Sequence, residues 1–68
     1  MLQITLNGSP HRFDPAPATV AELVGALALE GKRIAVEMNG EIVPKSRYAQ
    51  TRVASGDRIE VVAAVGGG

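Results

Sequence analysis

In Leu2-Gln3-Ile4-Thr5-Leu6-Asn7-Gly8-Ser9, apolar and polar residues alternate up to an Asn-Gly pair. Leu2, Ile4 and Leu6 fall on one side and Gln3 and Thr5 on the other, the period of a strand with one buried face. Asn7 and Gly8 both tolerate the positive φ of a two-residue hairpin turn. The chain therefore doubles back, and a second strand is expected over about Ser9 to Phe13. Pro10 confines that strand to a sheet edge, because proline has no N–H to give to a ladder.

Downstream, Pro15 and Pro17 make Asp14 to Ala18 a stiff loop. Thr19 has the chemistry of a helix N-cap, and Glu22 completes a T-x-x-E capping box. Val20, Leu23, Val24 and Leu27 form one apolar stripe at helical spacing. Gly31 supplies a stop signal, so a helix is expected over about Val20 to Leu29. Ile34 to Met38 is β-prone and leads into Asn39-Gly40, a second hairpin turn. Glu41 to Val43 returns and Pro44 ends it. Lys45 to Val53 is polar and irregular, with one helical turn expected near Ser46 to Ala49. Ser55-Gly56-Asp57 is a turn. Arg58 to Val65 reads as the last strand, with Ile59, Val61 and Ala63 on one face, and three glycines follow.

One helix stripe and one sheet face can cover each other, which gives a two-layer α+β domain. The first and last strands have the best-patterned inward faces, so they belong side by side at the sheet centre. A hairpin at each end with one helix between resembles the ubiquitin-like β-grasp, a mixed four- to five-stranded sheet with one helix on one face. The expected division is a domain over 1–65 and a flexible tail over 66–68.

The chain has 68 residues and no cysteine, so no disulfide framework stabilises it. Its 46% hydrophobic content leaves an apolar core as the source of stability. Seven basic and seven acidic residues cancel. That balance, with Phe13 and Tyr48 the only aromatics, argues against nucleic-acid binding. His11 alone cannot build a metal site. No apolar stretch is long enough for a membrane span, and Met1-Leu2-Gln3-Ile4 lacks the features of a signal peptide. A cytoplasmic monomer is the expectation.

Gly66-Gly67-Gly68 is the stretch that carries chemistry. A chance Gly-Gly end is expected in roughly one chain in 200, so glycine alone decides nothing. The context decides: an apolar strand runs into the glycines with no polar taper. Glycines have no side chain, so such a tail can enter a narrow cleft and present the Gly68 carboxyl group to another enzyme. That carboxylate is ionised at neutral pH and is a poor electrophile until activated. Once activated, a glycyl acyl carbon is open to a nucleophile. The chain therefore reads as a carrier and not an enzyme. Ser9, Ser46 and Ser55 lack any nucleophile motif, and His11 reads as an exposed strand residue. Tyr48 is expected to anchor its loop to the core. Lys45, Arg47, Arg52 and Arg58 make the stretch over 45–58 basic, as a solvated surface first and an electrostatic docking patch second. On the last strand, Val62 and Ala64 face away from the helix, and with Val65 they are the expected docking spot beside the tail.

These features are similar to those of the ThiS-type sulfur carriers of thiamine biosynthesis. The resemblance covers nearly the whole chain. It rests on Leu2-Gln3-Ile4-Thr5-Leu6-Asn7-Gly8, on Val36-Glu37-Met38-Asn39-Gly40-Glu41-Ile42-Val43-Pro44, on Ser55-Gly56-Asp57-Arg58-Ile59-Glu60-Val61 and on Ala64-Val65-Gly66-Gly67-Gly68. It implies that a ThiF-like adenylyltransferase, using ATP and magnesium, adenylates the Gly68 carboxylate. Sulfur from a cysteine desulfurase relay then displaces AMP and leaves a thiocarboxylate, which a ThiG-like thiazole synthase consumes. It also implies that the carrier holds no cofactor or metal of its own. The alternatives are a carrier like the small subunit of molybdopterin synthase, a ubiquitin-like modifier of lysines, and a β-grasp interaction module without tail chemistry.

Overall fold

The alternation of Leu2, Ile4 and Leu6 is realised as β1 (Leu2–Leu6), with all three side chains buried and Gln3 and Thr5 exposed. The computed structural model describes residues 1–63. β2 (Ser9–Phe13) folds back antiparallel, with Leu2 opposite Phe13 and Leu6 opposite Ser9. Asn7 and Gly8 take φ of 50° and 84°, the left-handed pair that a tight hairpin requires. β3 (Ile34–Met38) and β4 (Glu41–Val43) form the second hairpin, again through a left-handed Asn-Gly pair. β5 (Arg58–Ala63) lies antiparallel to β3 and parallel to β1. The sheet order is β2-β1-β5-β3-β4, so Pro10 sits on an edge strand and β5 is central.

Helix α1 (Val20–Ala26) crosses one face of the sheet. It starts where the capping box predicts: the Thr19 hydroxyl accepts from the Glu22 N–H at 3.2 Å. The Glu22 carboxylate accepts from the Ala18 N–H at 2.9 Å, one residue further back than a standard box. The expected end at Leu29 is corrected to Ala26. Ala28 turns left-handed at φ 59°, its N–H goes to the Gly25 carbonyl and the Leu29 N–H to the Val24 carbonyl, both at 3.0 Å. This is a Schellman closure with alanine where glycine is preferred. Gly31, the expected stop, lies beyond it. Because a Cβ in this region costs on the order of 1 kcal/mol, Ala28→Gly is expected to stabilise the domain by about that amount. A urea midpoint equal to that of the parent chain would show the strain is absent.

Among the described residues, nine apolar ones from both layers form the core: Leu2, Ile4, Leu6, Val20, Leu23, Val24, Val36, Val43 and Ile59. A 3₁₀ helix over Lys45–Gln50 replaces the single turn expected, and Tyr48 packs half-buried against the core as its anchor. Val61 is half-buried on the helix side of β5, as expected. Ala63 shares that side but is exposed, which corrects its reading as a core residue. It pairs with Ile34, at the end of the sheet where the helix-side surface opens into a hollow. Among the described residues, no helix is long and apolar enough to cross a membrane.

Candidate functional site

Of the expected site residues, Val62 is described; Ala64, Val65, Gly66, Gly67 and Gly68 lie outside the described residues. What can be read is the strand that leads to them and the face around it.

β5 is held by more than its ladders. The Asn7 side chain acts as an extra strand residue where β1 runs out. Its Oδ1 accepts from the Val61 N–H at 2.8 Å and its Nδ2 donates to the Val61 carbonyl at 3.1 Å. The Asn7 N–H donates to the Ile59 carbonyl at 2.9 Å. Asn39, the turn asparagine of the other hairpin, does the same at the start of β5. Its Oδ1 accepts from the Arg58 N–H at 2.8 Å, and its own N–H donates to the Arg58 carbonyl at 2.7 Å. Its Nδ2 donates to Asp57, whose carboxylate also caps the Ala54 N–H at 2.8 Å. Two residues read from sequence as turn formers thus clamp the strand that carries the tail. Nothing local signals this second role; it appears only when the turns are folded against β5.

Asn7→Gly isolates the clamp, since glycine accepts the same φ. Losing two hydrogen bonds worth about 0.5–1.5 kcal/mol each is expected to lower stability by about 1–3 kcal/mol. Amide exchange at Val61 is expected to accelerate, and unchanged Val61 exchange would show that the clamp is idle.

The sheet face away from α1 is uncovered. Val62 is 58% exposed there, as expected from its place in β5, and Ile42 is 64% exposed. Between them runs β3, with Ala35 opposite Val62 and Glu37 opposite Ile42. Together with Glu37 and Glu60 these residues line a shallow hollow of about 70 Å³. Ile42 was not among the expected docking residues, although its alternation with buried Val43 marks it as outward. Glu37 and Glu60 are directly opposite each other on this face. Like charges in that relation repel, so the face offers an apolar contact beside two carboxylates that gain from a cation. It suits docking and not catalysis. Among the described residues no group of His, Cys, Asp or Glu is placed to hold a metal. His11 is exposed and stacked on Phe13 at 6.4 Å between ring centroids.

Comparison with known proteins converges on one family. Residues 4–68 match the ThiS family model. The chain is 40% identical over 68 residues to the sulfur carrier protein ThiS of Bacillus subtilis, all of both chains being covered. It is 46% identical over 67 residues to a thiazole synthase of Paramagnetospirillum magneticum, covering 98% of this chain and 20% of that protein. The chain thus spans about a fifth of that longer relative's length. A crystal structure of the thiamine biosynthesis protein ThiS from Geobacter metallireducens superposes with a TM-score of 0.86 at 35% identity, covering 98% of this chain and 100% of that one.

Proposed function

This chain belongs to the ThiS family, and we propose that it is a sulfur carrier of thiamine biosynthesis, not an enzyme, which carries its sulfur on the Gly68 carboxyl group. The observation that carries this reading is the full-length correspondence with the Bacillus subtilis carrier. The β-grasp supplies the physical means: a central strand, clamped by Asn7 and Asn39, that leads into a side-chain-free tail.

In the proposed cycle a ThiF-like adenylyltransferase binds ATP and magnesium and joins the Gly68 carboxylate to AMP, releasing pyrophosphate. The terminal sulfur of a persulfide on the cysteine desulfurase relay attacks the acyl carbon and AMP leaves; a thiol then cleaves the S–S bond of the acyl disulfide, ending as a disulfide itself and freeing the thiocarboxylate. The resulting thiocarboxylate is anionic at neutral pH and nucleophilic through sulfur. It passes its sulfur to a ThiG-like thiazole synthase, and the carrier returns as the carboxylate. Similarity to a segment of two thiazole synthases supports that acceptor. ATP and magnesium belong to the activating partner, and the cytoplasm is the compartment that supplies them.

The test is an intact mass after incubation with ATP, magnesium, the activating enzyme and a sulfur donor. The expected change is exchange of one oxygen for sulfur, localised to Gly68 by fragmentation. An unmodified chain in the presence of competent enzymes would overturn the reading. Docking of the partner is assigned to the open sheet face at Val62 and Ile42, with Ala64 and Val65, which follow in sequence before the glycines, as further docking residues. Val62→Asp is expected to weaken binding of the activating enzyme by about tenfold, with the urea midpoint unchanged because the side chain is exposed. Parental affinity for that enzyme would remove Val62 from the interface.

A further inference from the structure

A mainly apolar hollow lies on the other side of the molecule, between α1, the loop before β3 and the 3₁₀ helix, and encloses about 310 Å³. Its floor is Val24, Leu29, Ile34 and Tyr48. The Schellman closure at Ala28 builds that floor by turning Leu29 back toward Val24. Tyr48 reaches it from the 3₁₀ helix, and burial raises the pKa of its phenol. The rim is cationic: Lys32, Arg33 and Lys45 surround it, against one carboxylate, Glu30. That carboxylate is folded back over the helix end, its Oε2 3.1 Å from where a Cβ on Gly25 would stand. In a chain of zero net charge this is a marked local excess of positive charge.

We propose that this hollow is a second docking site, which takes an acidic segment of the thiazole synthase with an apolar side chain at its centre. The proposal rests on the sulfur-carrier reading and adds a surface to it. Three observations choose the occupant. The floor is apolar and the rim cationic, so the ligand is apolar at its centre and anionic around it. The three cations are all exposed, and no polar or charged residue is buried in the described domain. A small anion would meet only solvent-screened charges. Small-molecule sites instead gather polar groups that converge on the ligand within an enclosed cavity. An extended segment with one anchor and several carboxylates matches a distributed rim. The third observation is position. Ile34 in the floor pairs with Ala63, the last described residue of β5, and Lys32 and Arg33 directly precede Ile34. A partner seated here holds the carrier next to the point where the tail begins. Lys45, read from sequence as part of a basic stretch with Arg47, Arg52 and Arg58, is thereby regrouped with two cations from the α1–β3 connection.

The experiment titrates the full chain with the thiazole synthase of the same organism, by calorimetry and by amide chemical shifts. The triple variant Lys32→Glu, Arg33→Glu, Lys45→Glu is expected to bind roughly tenfold more weakly, and the deficit is expected to shrink at high salt. Shift changes are expected at Ile34 and Tyr48. A matching urea midpoint for the triple variant controls for folding. Undiminished affinity of the triple variant, or shift changes confined to Ile42 and Val62, overturns the proposal. So does saturable binding of anilinonaphthalene sulfonate in the hollow that leaves the synthase affinity unaltered, which would make this a small-anion site. Mass-detected sulfur loading at Gly68 reads the carrier function separately, so either reading can fail without the other.

Discussion

Removal of Gly67 and Gly68 is expected to abolish sulfur loading while leaving the unfolding transition of the domain where it was. Loading requires a carboxyl group at the reacting centre of the activating enzyme. Each extended residue contributes about 3.5 Å of reach, so the shortened chain presents its carboxyl roughly 7 Å away from that centre. A displacement of about 1 Å in a reacting group can already cost a hundredfold in rate; this one leaves no productive geometry. The fold has no reason to respond, because among the described residues the last fully buried one is Ile59. The clamp on β5 reaches only to Val61. Intact mass after the complete reaction gives the first half of the result and a urea melt the second. A truncated chain that still gains sulfur would move the carrying group away from Gly68. A truncated chain that binds neither partner would show the glycines supply affinity as well as chemistry.

The strands were legible because each is short, alternates cleanly and is bounded by a strong turn signal. Leu2–Leu6, Ile34–Met38 and Glu41–Val43 all lie where alternation and Asn-Gly pairs put them. The central placement of β5 beside β1 followed from comparing their inward faces. The helix end was not legible, because a left-handed alanine carries no compositional mark and Gly31 offered a better-looking stop. Ala63 was misread as core because alternation gives the side a residue faces, not how far the covering helix reaches. The roles of Asn7 and Asn39 depend on contacts with residues about 54 and 19 positions away. No local pattern encodes such contacts. The same holds for the basic hollow, whose cations come from two separate segments.

These long-range contacts explain why so small a domain can present its tail on a firm base. A parallel β1–β5 pairing of two residues, Thr5 with Arg58 and Leu6 with Ile59, would fray alone. Asn7 extends it by side-chain pairing to Val61, and β3 closes the other side over five residue pairs. The strand is therefore held on both sides up to the place where it approaches the tail. Sequence elements needed for the turns are reused to stiffen the carrying strand, which keeps the domain short.

Ile59→Ala is expected to have the largest effect on the fold. Ile59 is fully buried. It sits at the crossing of the sheet, paired with Leu6 on β1 and Met38 on β3. Truncating a buried isoleucine to alanine costs about 2–5 kcal/mol, through lost burial and the cavity left behind. A domain of 68 residues has roughly 3–10 kcal/mol of total stability. The substitution therefore removes about half of what holds the chain folded at the middle of both ranges, and on the order of 10 °C or more of its melting temperature. Amide spectra are expected to show a substantial unfolded population, and loading at Gly68 is expected to fall with it. Ile59→Val, which keeps most of the volume, is expected to cost about 0.5–1.5 kcal/mol and to load normally. The two losses of loading then have opposite signatures: the tail truncation is folded and inert, whereas Ile59→Ala is chemically complete and unfolded. An excess of activating enzyme is expected to recover part of the Ile59→Ala loading by binding the folded fraction. It recovers none in the truncated chain. An Ile59→Ala chain with the parental urea midpoint would mean that the central strand is not where this domain keeps its stability.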